Sequence, residues 1–210
     1  MAITDYYEMM TAPANREFYE NYGRTMAAWG YLERCLSEAL ARLAGLSPQM
    51  ADAIFYSANS FSGRSAMVMA CVPFARTVPV GKTFLTKAVL LANEYALTRN
   101  TLAHDHHELD WPEGGEPQWL IRSPRGGPTL SPDQIRNADH NFSLLTYIIG
   151  LSWKRGSQLL DPELSLALLR LMPRDAAAPT ADHNEVNRLS DELQHLCDLD
   201  EGGLYSRPLA

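Results

Sequence analysis

The sequence predicts an all-α protein whose helices form an antiparallel bundle, interrupted by one irregular insertion. Apolar residues recur three and four positions apart along several long segments, which is the spacing of the buried face of an amphipathic helix. Serine or aspartate followed directly by proline, a combination that favours a helix start, precedes three of these segments. The 210 residues, 46% of them hydrophobic, are sufficient to bury one core.

Four helices are predicted in the first half of the chain. Their spans are about 14–44, 48–55, 60–75 and 82–105. Gly45 ends the first helix, and Ser47 followed by Pro48 begins the second. Pro73 stands near the end of the third helix, and residues 77–81 are predicted to connect it to the fourth.

An irregular insertion is predicted over about residues 106–131, where prolines and Gly-Gly pairs break any helix. Within it, Gln118–Arg122 is expected to form one strand of a small β-hairpin. Helices are predicted again over about 132–159 and 162–172. Together these elements make a predicted bundle domain over residues 1–172.

The last part of the chain, residues 173–210, is predicted to be a linker followed by a partly flexible amphipathic segment. Residues 173–180 are rich in proline and alanine. The apolar residues that follow recur at helical spacing, at Val186, Leu189, Leu193 and Leu196. Because so short a helix is unstable alone, it is expected either to dock on the bundle or to pair with another chain.

Charge and cysteine content argue against several classes of function. The formal net charge of −7 provides no general attraction for nucleic acid, so an RNA substrate would need a local basic site or one completed by a second subunit. The three cysteines show no CxxC spacing, which argues against a zinc knuckle or a disulfide framework. Candidate cations for a basic site are Lys82, Lys87, Arg122, Arg125, Lys154 and Arg155.

The hydropathy pattern contains no segment of 18 or more apolar residues, so no membrane-spanning helix is expected. The N-terminus lacks the basic region and apolar run of a signal peptide. We therefore expect a cytoplasmic protein without membrane association. Nothing in the sequence requires a metal or another cofactor.

The clearest candidate for chemistry is one hexapeptide, Arg99-Asn100-Thr101-Leu102-Ala103-His104, near the end of the fourth predicted helix. Asn100 and His104 lie one turn apart on one helix face, and the long side chain of Arg99 would reach towards the imidazole. An imidazole titrates near neutral pH and serves as a general acid or base. A guanidinium binds phosphate through forked donors and stabilises charge in a transition state. The hexapeptide therefore predicts metal-independent action on a phosphodiester.

Glu33 lies on the apolar stripe of the first predicted helix, where a carboxylate requires a cationic or hydrogen-bonding partner. Two arginines compete for it: Arg99 in the hexapeptide and Arg64 in the third predicted helix. The spacing of the residues does not choose between them. The other members of the stripe are Met26, Trp29, Leu36, Leu40 and Leu43.

The segment Arg99–His104 resembles the motif of the HEPN superfamily, helical proteins of toxin, defence and RNA-processing systems. It fits the form Arg-Asn-x-x-x-His late in an apolar helix, with an acidic residue, here Glu33, on an earlier helix. The resemblance, which covers about residues 14–160, implies metal-independent cleavage of RNA by two motifs facing each other in a dimer. It implies that His104 is the acid or base and Arg99 the phosphate and transition-state group. Asn100 would be the positioning residue, and Glu33 would support Arg99.

Two other functions stay open. A non-catalytic dimerisation or interaction module of the same fold would use an Arg–Glu pair structurally. A metal-dependent enzyme would use the polar cluster His104–Asp110, in which His104 and Glu108 are spaced i, i+4. Because the fourth helix is predicted to end near Asp105, a solvated exit from the helix is the favoured interpretation of that cluster.

Two kinds of protein partner are expected. Apolar residues surround most of the fourth predicted helix, so this helix is either central in the bundle or faces a second subunit. We expect a homodimer, in agreement with the family pattern. An antitoxin-like protein is the other partner that the family resemblance suggests.

Overall fold

The structure, a computed structural model, describes residues 13–110, 118–122, 129–152, 161–180 and 182–202. Its elements are α1 (Pro13–Ala44), α2 (Pro48–Phe55), α3 (Phe61–Cys71), a 3-10 turn (Val72–Phe74), α4 (Pro79–His104), β1 (His106–Asp110), β2 (Gln118–Arg122), α5 (Pro132–Leu151), α6 (Pro162–Leu171) and α7 (His183–Gly202). The predicted fold class is confirmed: the protein is an all-α helical bundle with one short hairpin. Among the described residues, no helix has both the length and the apolar character required to cross a bilayer.

Side chains placed directly before the helices determine where several of them begin. The hydroxyl of Ser47 accepts a hydrogen bond from the backbone of Met50 at the start of α2. Ser131 and Gln134 form a reciprocal capping box at the start of α5, and Asp161 caps α6. These contacts satisfy backbone N–H groups that have no partner inside a helix. The predicted starts of α2, α5 and α6 are confirmed.

Three predicted helix limits differ from the structure. Helix α4 begins at Pro79 and not at Lys82, because proline at the first helical position has the required φ and sacrifices no hydrogen bond. The third helix stops at Cys71 and continues only as a 3-10 turn around Pro73, whose missing N–H interrupts α-helical bonding. Helix α5 ends at Leu151; the rest of its predicted span, residues 153–160, lies outside the described residues.

The core lies where α1, α4 and α5 meet. Its largest fully buried side chains include Leu32 and Leu36 from α1, Phe84 and Tyr95 from α4, and Phe142 from α5. Helix α4 is buried around most of its circumference, with one stripe left exposed, which agrees with the first of the two predicted arrangements, a central helix. The exposed residues of this α4 stripe are Pro79, Thr83, Lys87, Leu90, Glu94, Leu97, Asn100 and His104.

The insertion contains an antiparallel hairpin of β1 and β2, in which His107 lies opposite Ile121. The predicted strand Gln118–Arg122 is confirmed. Its partner is His106–Asp110, so the prediction of a solvated exit from the helix is wrong for these residues, which form a strand. Strand β1 is held to α1 by ring contacts of His107 with Phe18 and Tyr22. The remainder of the insertion, residues 111–117 and 123–128, lies outside the described part of the chain.

The segment after α6 packs on the bundle. The buried amide of Asn141 in α5 donates hydrogen bonds to the carbonyls of Ala176 (2.8 Å) and Ala178 (2.9 Å). Its oxygen accepts a 2.9 Å bond from the hydroxyl of Thr180. Residues 173–180, predicted as a linker, are therefore fixed to α5. Helix α7 also docks on the body of the same chain, where Val186, Leu189 and Leu193 are buried.

Candidate functional site

The hexapeptide occupies the last turns of α4, as predicted. Thr101 and Leu102 are buried and anchor this end of the helix in the core. Asn100 and His104 are exposed on the α4 stripe, and Arg99 is half-buried beside them. The chain leaves the helix at Asp105, whose N–H still donates a 3.1 Å bond to the carbonyl of Thr101. The sequence therefore places the imidazole at an open helix end.

Glu33 pairs with Arg64 and not with Arg99. Nη1 of Arg64 lies 2.8 Å from Oε1 of Glu33, and the two side chains are only 19% and 12% exposed. The guanidinium of Arg64 is held further by a 3.1 Å bond from Nε to the carbonyl of Ala58 and by the ring of Tyr56, 5.1 Å away. This pair clips α3 to α1. The expected direct support of Arg99 by Glu33 is absent, because Arg64 satisfies that carboxylate.

Arg99 packs instead against Trp29, which lies one turn before Glu33 on α1. Its guanidinium carbon is 6.0 Å from the centroid of the indole ring, within the range of a cation–π contact. Its Nη1 donates a 3.1 Å hydrogen bond to Oδ1 of Asn100. The guanidinium of Arg99 is thus in direct contact with Asn100, the adjacent motif residue.

No carboxylate among the described residues forms an ion pair with Arg99. Two buried donors at this contact, Nε of Arg99 itself and Nε1 of Trp29, have no hydrogen-bond partner in the described part of the chain. Trp29, which the sequence places only on the apolar stripe of the first helix, therefore contacts the candidate site. The signal for it was its place on the same stripe as Glu33, one turn earlier.

The polar cluster His104–Asp110 does not form a metal centre. His104 ends α4, whereas residues 106–110 form β1, in which successive side chains alternate between the two faces. His107 packs against aromatic rings of α1, while Glu108 pairs with Arg122 at 3.1 Å. Across the described residues, no group of three or more His, Cys, Asp or Glu side chains is arranged to hold a metal ion.

The six cations predicted to form a basic site for RNA do not all remain available. Lys82 donates a hydrogen bond to the carbonyl of Pro73, and Arg122 is engaged by Glu108. Arg125, Lys154 and Arg155 lie outside the described residues. Lys87 is the predicted cation that stands exposed on the α4 stripe.

Lys87 has two cationic neighbours that sequence reasoning did not select. A surface groove of about 340 Å³ between α4 and the end of α6 is lined by Lys87, Arg170 and Arg174. No local pattern joins Lys87 to the two arginines, because only the packing of α6 on α4 brings them together.

Comparisons with known proteins provide no relative: no protein-family model, no curated protein sequence and no solved structure matches the chain. The resemblance to the HEPN superfamily therefore rests on the motif residues alone. They are Arg99, Asn100 and His104, together with the acidic residue Glu33 on an earlier helix.

Proposed function

We propose that this protein is a HEPN-like, metal-independent endoribonuclease whose reactive groups are His104 and Arg99. The observation that carries the proposal is the electrostatic freedom of Arg99: no described carboxylate pairs with it, since Glu33 is occupied by Arg64. A guanidinium held by a ring face and an amide keeps its full charge for an anionic ligand. Five residues further along α4, on the exposed stripe, stands the imidazole of His104, a group that can act as a general acid or base.

These groups suit the cleavage of RNA at its own 2′-hydroxyl. In that reaction the 2′-oxygen forms a bond to the adjacent phosphorus while the P–O5′ bond breaks, leaving a 2′,3′-cyclic phosphate and a 5′-hydroxyl. One proton leaves the 2′-hydroxyl and one is taken up by O5′. His104 performs one of these transfers, and Arg99 stabilises the charge that grows on the phosphate oxygens. Asn100 holds the guanidinium in place.

A homodimer fits this chemistry because two proton transfers need two groups. Leu97 lies on the α4 stripe directly before the motif and is 72% exposed, and Leu90 on the same stripe is exposed as well. A second copy that covers Leu97 would bring two hexapeptides together. Each His104 would then be available to one of the two transfers.

The second candidate is a non-catalytic module of the same fold that binds a second copy or an antitoxin-like protein. It is favoured by the same exposed Leu97 and by the Glu33–Arg64 clip, which provides the structural Arg–Glu pair without using the motif. Under this alternative, Arg99 and His104 would be dispensable for the protein's activity.

Incubation of the purified protein with mixed RNA in the presence of EDTA separates the two candidates. We expect the wild type to cleave RNA, and both His104→Ala and Arg99→Ala to lose cleavage while keeping the wild-type circular dichroism spectrum. The matched control is His195→Ala, since His195 is an exposed histidine on α7, remote in sequence from the motif. An otherwise identical DNA substrate should stay intact because it lacks the 2′-hydroxyl.

Intact RNA with the wild type on a broad mixture of substrates would favour the interaction module. Cleavage that persists in both folded variants would overturn the proposed roles of His104 and Arg99. Activity abolished by EDTA would contradict the metal-independent mechanism.

A further inference from the structure

We propose that the groove lined by Lys87, Arg170 and Arg174, here called the basic groove, binds the phosphate backbone of single-stranded RNA and leads it to the hexapeptide. The inference rests on the proposed function and names the path of its substrate. The first observation is the concentration of positive charge. Three cationic side chains and one acidic side chain, Glu94, line the groove, in a protein whose formal net charge is −7.

These three cations have no partner in the described part of the chain. None of the ion pairs or side-chain hydrogen bonds formed among the described residues involves Lys87, Arg170 or Arg174. Clustered cations repel one another, and an anionic ligand removes that repulsion while releasing its counterions. By contrast, Arg24, Arg34, Arg122, Arg136 and Arg188 all pair with carboxylates.

The groove also has an apolar floor. Leu90 and Leu91 of α4 face Leu169 and Met172 at the end of α6 across it. Such apolar side chains can contact ribose and base faces while the neighbouring cations contact phosphates. Sequence-independent sites for a single strand likewise combine a basic groove with surfaces for the bases, although those surfaces are commonly aromatic. The volume of about 340 Å³ lies within the range of small-ligand sites, so the groove can hold part of a single strand.

Continuity with the motif selects RNA as the occupant. Lys87 and Leu90 belong to the α4 stripe that ends in Asn100 and His104. Lys87 and Asn100 are separated by about 20 Å along the helix axis at about 1.5 Å per residue. At about 3.4 Å per nucleotide, a stacked strand spans that distance with about six nucleotides. A substrate that fills both sites must therefore extend at least that far on one side of the cleaved bond.

Binding is measured separately from cleavage, in the His104→Ala background, by fluorescence anisotropy with 5′-labelled RNA oligonucleotides. The test variant carries Lys87→Gln, Arg170→Gln and Arg174→Gln. The control carries Arg16→Gln, Arg34→Gln and Arg76→Gln, which are exposed arginines elsewhere and give the same change in net charge. We expect Kd to rise about tenfold or more in the test variant only, with the salt dependence of log Kd reduced by about two.

Oligonucleotide length provides a second readout. We expect the Kd of the His104→Ala protein to fall as the RNA lengthens to about six nucleotides, the length that reaches both sites, and to depend less on length in the test variant, which lacks the groove cations. Equal Kd values for longer RNA in the test and control variants would overturn the inference. The basic groove would then be a binding site for an acidic protein segment instead. If the groove cations are needed for RNA binding but the wild type cleaves no RNA, the proposed binding role of the groove is supported and the proposed nuclease activity is refuted.

Discussion

Arg64 donates a 2.8 Å hydrogen bond from Nη1 to Oε1 of Glu33, and the pair is largely shielded from solvent between α1 and α3. A carboxylate that is only 12% exposed, as that of Glu33 is, would be costly if it were unpaired. Arg64 removes that cost, and by doing so it leaves Arg99 without a carboxylate. One ion pair thus stabilises the fold and keeps the charge of the motif arginine available.

A double-mutant cycle tests this division of roles. We expect Glu33→Gln and Arg64→Gln each to lower the free energy of unfolding by about 1–2 kcal/mol, with a coupling of about 1 kcal/mol between them. Glu33→Gln and Arg99→Gln should be additive because these residues do not pair. Urea unfolding of the single and double variants measures both cycles. Coupling of Glu33 to Arg99 instead of Arg64 would contradict the observed pairing.

His107 makes the stability of the protein depend on pH. Its ring packs 4.8 Å from the ring of Tyr22 and 5.6 Å from that of Phe18. Burial lowers the pKa of His107 below its ordinary value of 6.5. The unfolded chain therefore binds a proton more readily, so stability is full above about pH 6.5 and declines as the pH falls below it.

Unfolding midpoints in urea at several values between pH 5 and pH 8 test this expectation. His107→Leu should reduce the loss of stability at low pH. His106→Ala, a substitution at the exposed neighbouring residue, should leave that loss unchanged. Burial and nearby His183 also lower the pKa of His140, so part of the decline should survive in His107→Leu. A profile identical to the wild type in His107→Leu would refute the role of this histidine.

Asn141 is expected to be the main polar anchor of the segment after α6. Asn141→Ala removes three hydrogen bonds, and the carbonyls of buried Ala176 and half-buried Ala178 lose the amide that donates to them. We expect this change to lower the free energy of unfolding by about 3 kcal/mol. Asn137→Ala is the matched control, since Asn137 donates one bond, to Ala177 at 3.1 Å, and should cost about 1 kcal/mol. Equal losses in denaturant unfolding would show that this network does not anchor the segment.

Leu97→Asp is expected to convert a dimer into a monomer, because a charge in the centre of an apolar contact has no partner there. Sedimentation velocity over a range of protein concentrations measures the change. Phe74→Asp is the control, since Phe74 is 79% exposed in the 3-10 turn, away from the motif. If the wild type sediments as a monomer at every concentration, the proposed dimer is wrong. If Leu97→Asp leaves a dimer intact, the contact lies elsewhere.

Much of the fold could be predicted because its causes are local. Ser47, Ser131 and Asp161 form hydrogen bonds with the first turns of their own helices, so neighbouring residues are sufficient to locate those starts. Strand β1 escaped prediction because its polar sequence becomes a strand only by pairing with β2 and packing His107 on α1. In a short hairpin, such distant contacts outweigh intrinsic propensity.

By itself, the sequence determined the helical class, the helix that carries Arg99, Asn100 and His104, and the shared face of the last two. These properties follow from the period of the helix and from adjacent residues. Tertiary structure alone decided which arginine pairs with Glu33, which ring Arg99 lies against, and which cations join Lys87. The reason is that these contacts join residues far apart in the chain, and their geometry exists only after the helices have packed.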